Sequence, residues 1–331
     1  MNLSSVGIAI IGVALFFDFI NGFHDSSNIV ATMISSRAMS ARKALTLSAV
    51  AHFCGPFLFG VAVATTIGHE VVDPKSITIV VIFAALLAAI IWNLATWYLG
   101  IPSSSSHALV GGLIGAVSID FGFATIQMRG LLKVIAALFV SPILGLVVGY
   151  LFMKLVLFLA RGASPRINWF FKRAQLITSL ALALSHGTND AQKTMGIIAM
   201  ALVTIGYSSE FIVPWWVVVL SAAAISLGTA LGGWRIIRTL GGKFYKIKPV
   251  HGFTTQIASA FIILGAAFLG GPVSTTHVVS SSILGVGSAD RVSRVRWNVV
   301  GNIITTWVLT IPASALLAAL LHLVIHFLFQ S

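Results

Sequence analysis

The sequence predicts an all-α polytopic membrane protein made of two inverted-topology repeats with broken helices and re-entrant half-helices. Three observations predict it. Of 331 residues 58% are hydrophobic and 8% charged, whereas a soluble domain carries roughly 25% charged residues; the solvent that accepts such a surface is a bilayer. The phrase Pro102-Ser103-Ser104-Ser105-Ser106-His107 returns as Pro272-Val273-Ser274-Thr275-Thr276-His277, 170 residues later. A polar stretch, Asn21-Gly22-Phe23-His24-Asp25-Ser26-Ser27-Asn28, interrupts the first apolar run, and a second, Ser185 to Lys193, interrupts a later one.

Charge and cysteine content exclude other classes. Twenty Lys and Arg against eight acids leave a formal charge of +12, but the basic residues fall mostly in short connections, which marks cytoplasmic loops and not nucleic-acid binding. Cys54 is alone inside a span, so neither a disulfide nor a thiol metal site is expected. The first apolar run has no basic leader and contains Asp18, and is expected to be a retained span.

Taken in order, residues 4 to about 34 are expected to form a first helix broken at Asn21 to Asn28. A basic loop with Arg37, Arg42 and Lys43, a span of about 44 to 68, a turn holding Glu70, Asp73, Pro74 and Lys75, and a span of about 77 to 99 follow. No helix runs unbroken through Gly100-Ile101-Pro102, because proline lacks the N–H and disfavours helical geometry in the residue before it. A serine or threonine can cap a new helix there, here a short one to about Ser118; a long helix then reaches about residue 160. Residues 161–173, with Gly162, Pro165 and several basic side chains, are expected to be a cytoplasmic linker between a first transmembrane repeat, 1–160, and a second, 174–331.

The second half repeats the order: an apolar run with its own polar break, a span of about 213 to 232, a basic loop from Arg235 to Lys248, and a span of about 253 to 269. The second phrase and a short helix to about Val286, a basic turn with Arg291, Arg294 and Arg296, and a helix of about 297 to 328 complete it. Setting Gly187 on Gly22 places Asp190 on Asp25, Asn189 on His24 and Lys193 on Asn28. If the basic loops are all cytoplasmic, each half crosses an odd number of times and the second is inverted; Arg129 and Lys133 run against this.

Asp25 and Asp190 are the foremost functional candidates, since an intramembrane carboxylate is costly unless paired, protonated or bound to a cation. Asn21, Asn28 and Asn189 add neutral oxygens suited to a hard cation such as sodium; a proton is the alternative, and both stay open. Ser104, Ser105, Ser106, Ser274, Thr275 and Thr276, with the helix N-termini they begin, form an expected oxyanion site. Lys193 either adds positive charge to that site or snorkels to the surface. His24, His107, His186 and His277 are expected to orient neighbours, for no pair has metal-site spacing. No catalytic residue is expected: an intramembrane hydrolase lacks a G-x-S-x-G, and a channel needs a continuous pore where the twin carboxylates favour coupled binding.

These four motifs, Asn21 to Asn28, His186 to Asp190, Gly100 to His107 and Gly271 to His277, make the chain similar to the inorganic phosphate transporter (PiT) family, compact bacterial type. The resemblance extends from the first polar stretch to the last span. It implies a symporter of inorganic phosphate in the cell inner membrane, driven by a sodium or proton gradient, with alternating access around a midplane site and both termini outside. It further implies that Asp25, Asp190 and Asn28 hold the coupling ion, with sodium on the two aspartates in a sodium-coupled member, and that the Ser/Thr phrases hold phosphate. No cofactor beyond that ion and no nucleic-acid partner are expected; membrane lipid surrounds the chain, and a homodimer is left open. His52 and Gln256 stand where some sodium-coupled eukaryotic members carry glutamates, and the large central loop of those members is missing. Lys193 opposite Asn28 could then take the place of one cation, which keeps proton coupling as a full alternative. A sulfate permease of the same fold is the nearest rival, and an anion channel the rival of another class.

Overall fold

The computed structural model describes residues 5–58, 60–67 and 77–330, and every regular element among them is helical. The first half contains α1 (Ser5–Ser35), α2 (Ala41–Cys54), the short α3 (Ala62–Thr65), α4 (Ile79–Leu99), α5 (Ser105–Phe121) and α6 (Met128–Leu159). The second contains α7 (Ile167–Thr204), α8 (Trp215–Leu231), α9 (Trp234–Arg238), α10 (Pro249–Phe268), α11 (Thr275–Arg291) and α12 (Trp297–Gln330). Among the described residues α1, α4, α6, α10 and α12 are long and apolar enough to cross a bilayer. α8 and the helical residues after it form a pair bent by 57°. The starts of α4 and α10, of α5 and α11, and the helix prolines Pro142 and Pro312 are each 170 residues apart.

The halves exchange their partners. α6 packs on α11, and α12 packs on α5, so the last helix of each half covers the short helix of the other. α1 lies against α8, α7 and α4, and α7 also packs on α10 and α2. This places the middles of α1 and α7 and the starts of α5 and α11 in the interior.

Four expectations about elements are corrected. α1 and α7 run as unbroken helices through the stretches expected to break them. Serine and threonine there satisfy helix carbonyls, with Ser26 Oγ donating to Phe23 O at 2.9 Å, Ser27 Oγ to His24 O at 3.1 Å and Thr188 Oγ1 to Leu184 O at 2.8 Å. Gly22 and Gly187 act as contact points: a Cβ on Gly22 would lie 2.1 Å from Ile225 O, and one on Gly187 2.6 Å from His52 O. The expected span of 44 to 68 is a shorter helix, α2, that gives way at Gly55-Pro56 to a 3-10 turn, Gly55–Phe57, and then α3. Residues 235–243 of the expected basic loop are helical, α9 and a π turn at Thr239–Lys243. α7 begins at Ile167 and so takes over residues 167–173 of the expected linker; Arg173 stacks there on the Trp169 ring, 4.0 Å from its centroid. Glu70, Asp73, Pro74 and Lys75 lie outside the described residues.

The α1–α8 crossing is the tightest of these contacts, since a Cβ on Gly228 would sit 1.9 Å from Phe19 O. Gly228→Ala is expected to destabilise the protein by about 1–3 kcal/mol. Thermal unfolding in detergent checks this, and an unchanged midpoint would contradict the crossing.

Candidate functional site

The two short helices begin as their sequences require. Gly100 and Gly270 take the left-handed conformation, φ 67° and 66°, that ends the preceding helix. Ser104 and Ser274 then cap α5 and α11, their side-chain oxygens accepting from the His107 N–H at 3.1 Å and the His277 N–H at 3.2 Å. Both serines therefore set the helix starts, and the first-turn N–H groups of Ser105, Ser106, Thr275 and Thr276 have no partner within their own helix. The two phrases touch: Ser106 Oγ donates to Val273 O at 3.4 Å.

Against these tips lie the carboxylates. Asp25 from the middle of α1 and Asp190 from the middle of α7 are 2% and 1% exposed. Thr275 Oγ1 is 3.0 Å from Asp190 Oδ2 and 3.3 Å from Asp25 Oδ2, and Thr276 Oγ1 is 3.0 Å from Asp25 Oδ1. Asn28 Nδ2 donates to Thr276 Oγ1 at 3.0 Å. Each acid has a histidine beside it, His24 Nδ1 at 2.6 Å from Asp25 and His186 Nδ1 at 3.0 Å from Asp190. One ligand atom each from Asp25, His186 and Asp190 lies within 4.8 Å of the others, a spacing that suits a single cation. His186, expected only to orient neighbours, thus stands together with the two acids. The Thr275 hydroxyl has one proton and two carboxylates to serve, so it satisfies one at a time.

Lys193 does not snorkel. It is 2% exposed and points inward, where its ammonium pairs with Asp190 and donates to Ser106 Oγ at 2.6 Å and to Val273 O at 3.0 Å. One side chain of α7 thereby ties an acid to both phrases. Asn189 Nδ2 donates to Gly271 O at 3.2 Å. Buried and without a hydrogen-bond partner are Ser105 Oγ, Asn28 Oδ1, Asn189 Oδ1 and Asn21 Oδ1. Asn21 stands one turn before Asp25 on α1. The unpartnered oxygens of Asn28 and Asn189 and the two carboxylates are hard oxygen donors of the interior.

Ser103 belongs elsewhere: its hydroxyl meets Thr96 Oγ1 at 2.7 Å and His24 Nε2 at 3.5 Å. The His107 and His277 rings lie 4.5 Å apart, His277 stacks on Trp307 at 3.9 Å, and Trp307 Nε1 donates to Pro102 O at 3.1 Å. His52 stacks on His186 at 5.0 Å and is 2.7 Å from Thr229 Oγ1. Gln256 bridges Thr178 and Thr32. Thr96 and Thr229 were not singled out by the sequence, and the fully buried Asp18 stood there only as part of a retained span. Only Asp18 carried a signal, as an acid inside an apolar run two turns before Asp25.

Membrane-length helices that enclose buried acids and the converging starts of two half-length helices define a multi-pass membrane protein. A family model described as "Phosphate transporter family" matches residues 21–165 and 159–318, and the chain belongs to that family. It is 47% identical over 326 residues to a "Probable low-affinity inorganic phosphate transporter" of Bacillus subtilis (strain 168), covering 97% of this chain and 98% of that one. A Rhizobium meliloti (strain 1021) protein of the same description is 47% identical over 317 residues, 95% of each chain. The fold matches a solved structure described as "The sodium-dependent phosphate transporter" with a TM-score of 0.88 and 24% identity, covering 98% of this chain and 100% of that one.

Removing Lys193 leaves the buried Asp190 without its cation. Lys193→Met is expected to cost about 3–5 kcal/mol, and Asp190→Asn in the same chain to recover part of it. A double-mutant cycle by denaturant unfolding measures the coupling; additive losses would count against the pair.

Proposed function

We propose that the protein is a secondary active symporter of inorganic phosphate in the plasma membrane, driven by a sodium or proton gradient. The observation that carries the reading is the direct bonding of the α11 start to both acids: Thr275 and Thr276 reach Asp25 and Asp190, while Lys193 reaches Ser106. An oxyanion site made of helix N-termini and hydroxyls is thus wired to carboxylates that demand a counter-charge. The relatives' descriptions support phosphate as the anion.

The hydroxyls give a coupling mechanism. With the carboxylates ionised, Thr275 and Thr276 donate to them and have no proton left for an anion. A cation held by Asp25, Asp190 and the free oxygens of Asn28 and Asn189, or a proton on a carboxylate, satisfies those lone pairs. The hydroxyls then turn to the phosphate oxygens, joined by the N–H groups of both helix starts, the Ser105 hydroxyl and Lys193. The bound cation also lowers the net charge of a loaded site that a dianion would otherwise make expensive. Two halves of opposite orientation, 1–160 and 174–331, rocking about this site would expose it to each side in turn.

The test is radiolabelled phosphate uptake into proteoliposomes under a sodium or a pH gradient, with sulfate as cold competitor. Asp25→Asn is expected to abolish uptake and leave the protein folded by gel filtration; normal uptake would remove the coupling role. Ser105→Ala with Thr275→Ala is expected to weaken phosphate binding at least tenfold, against a small effect for Ser103→Ala, whose hydroxyl faces Thr96. Full accumulation of sulfate would keep the site and reassign the substrate.

A further inference from the structure

Asp18 is the third buried acid of the interior and the coupling scheme above does not use it. It is 0% exposed, and neither carboxylate oxygen has a hydrogen-bond partner. The Thr194 hydroxyl of α7, itself unpartnered, faces it across the α1–α7 interface, and the charged groups that act on it are Asp190 and Lys193, both of α7. Ala14 and Phe17 of α1, and Ala191 and Met195 beside Thr194 on α7, belong to the buried apolar cluster of this interface. Lys193 gives no hydrogen bond here, because its ammonium is engaged by Asp190, Ser106 and Val273.

An ionised carboxylate left so bare is unfavourable by several kcal/mol. A hard metal ion wants several oxygen ligands, and Thr194 is the one side chain that acts on this carboxylate by hydrogen bonding. A proton neutralises the group with no ligand beyond the acid itself. Asp18 also shares a face of α1 with Asn21 and Asp25, at helical positions i, i+3 and i+7, so it stands about 10 Å from Asp25 along the helix. Its counterpart in the second half, under the alignment of Gly22 with Gly187, is Ala183, so the position has no twin.

We propose that Asp18 is a proton site of the transport cycle, neutral while α1 and α7 are packed together and exchanging its proton with water when that interface opens. The step is a balanced protonation: the carboxylate takes one proton from water on one side of the membrane and returns it to water on the other. The transport half of this proposal rests on the symport reading above; the protonation of the packed protein does not.

Two measurements test it. Infrared spectra of the purified protein in detergent at neutral pH are expected to show the carbonyl stretch of a protonated carboxyl group, shifted in heavy water and missing in Asp18→Asn. Thr194→Val, which leaves every charge in place, is expected to keep that band at a shifted frequency and provides the same answer if Asp18→Asn does not fold. A spectrum in which neither variant alters the carboxyl region overturns the proposal. In proteoliposomes Asp18→Asn is expected to lose at least tenfold of the phosphate accumulation driven by a pH gradient while retaining phosphate-for-phosphate exchange without a gradient. An undiminished response of the variant to the pH gradient, or a wild type indifferent to that gradient, overturns the role in the cycle. A wild type that moves no phosphate at all defeats the symport reading instead, and the infrared band still decides the state of Asp18.

Discussion

Two carboxylates buried in a protein that lives in hydrocarbon are the constraint on which the rest of the structure depends. Asp25 and Asp190 cannot be left bare at that depth, and what reaches them is the beginning of α11. For its hydroxyls to be there, α10 must stop short and a new helix must start in the interior. The left-handed Gly270, Pro272 and the Ser274 cap produce that start. Exposing helix N-terminal N–H groups at membrane depth is itself unfavourable unless an acceptor arrives. The same local sequence therefore stabilises the acids and creates a demand for an anion.

The architecture is doubled, but its chemistry is not. α4, α5 and the proline of α6 recur 170 residues later, and each of the two acids keeps a histidine at its side. The differences fall on charge. Lys193 faces the phrases where the first half has Asn28, and Asp18 has only Ala183 opposite. Among the described residues the interior holds three acids and one lysine, so the buried acids outnumber the one cationic side chain. A perfectly symmetric site would treat its two acids alike; Lys193 ensures that Asp190 is already paired while Asp25 relies on hydroxyls and His24.

Much of this was legible in the residues. Gly-x-Pro or Gly-Pro followed by hydroxyls dictates a helix stop and a capped start, and both appear where the phrases stand. The acids stood out because carboxylates are rare in apolar runs. The continuity of α1 and α7 was not legible, since glycine beside serine and asparagine reads as a break in the chain taken alone. Only the partner helix reveals that Gly22 is needed for the approach of Ile225 and that the hydroxyls bond back to their own carbonyls. Nor does a sequence say which way Lys193 turns. That depends on whether acceptors wait inside, and two of them, Ser106 and Val273, come from distant stretches of chain. Asp18 was hidden for the opposite reason: the apolar residues around it made it look like an ordinary flaw in a span, whereas its isolation is what sets its chemistry.

Beside the exchange of partners that buries the short helices, a single side chain holds the two phrases together. Trp307 of α12 holds the Pro102 carbonyl of the first phrase by its indole N–H and stacks on His277 of the second. α12 packs along α5, while α6 packs along α11. α12 is thereby tied to both phrases at once through a single side chain. The acids sit on α1 and α7, the Ser/Thr phrases at the starts of α5 and α11, and the Thr275, Thr276 and Lys193 bonds link them at the centre. Under the proposed coupling, loading or unloading of the carboxylates alters those very bonds. A local change of charge at the carboxylates is thus applied where α1 and α7 meet the starts of α5 and α11, and a close-packed interior responds to such a change by switching between arrangements.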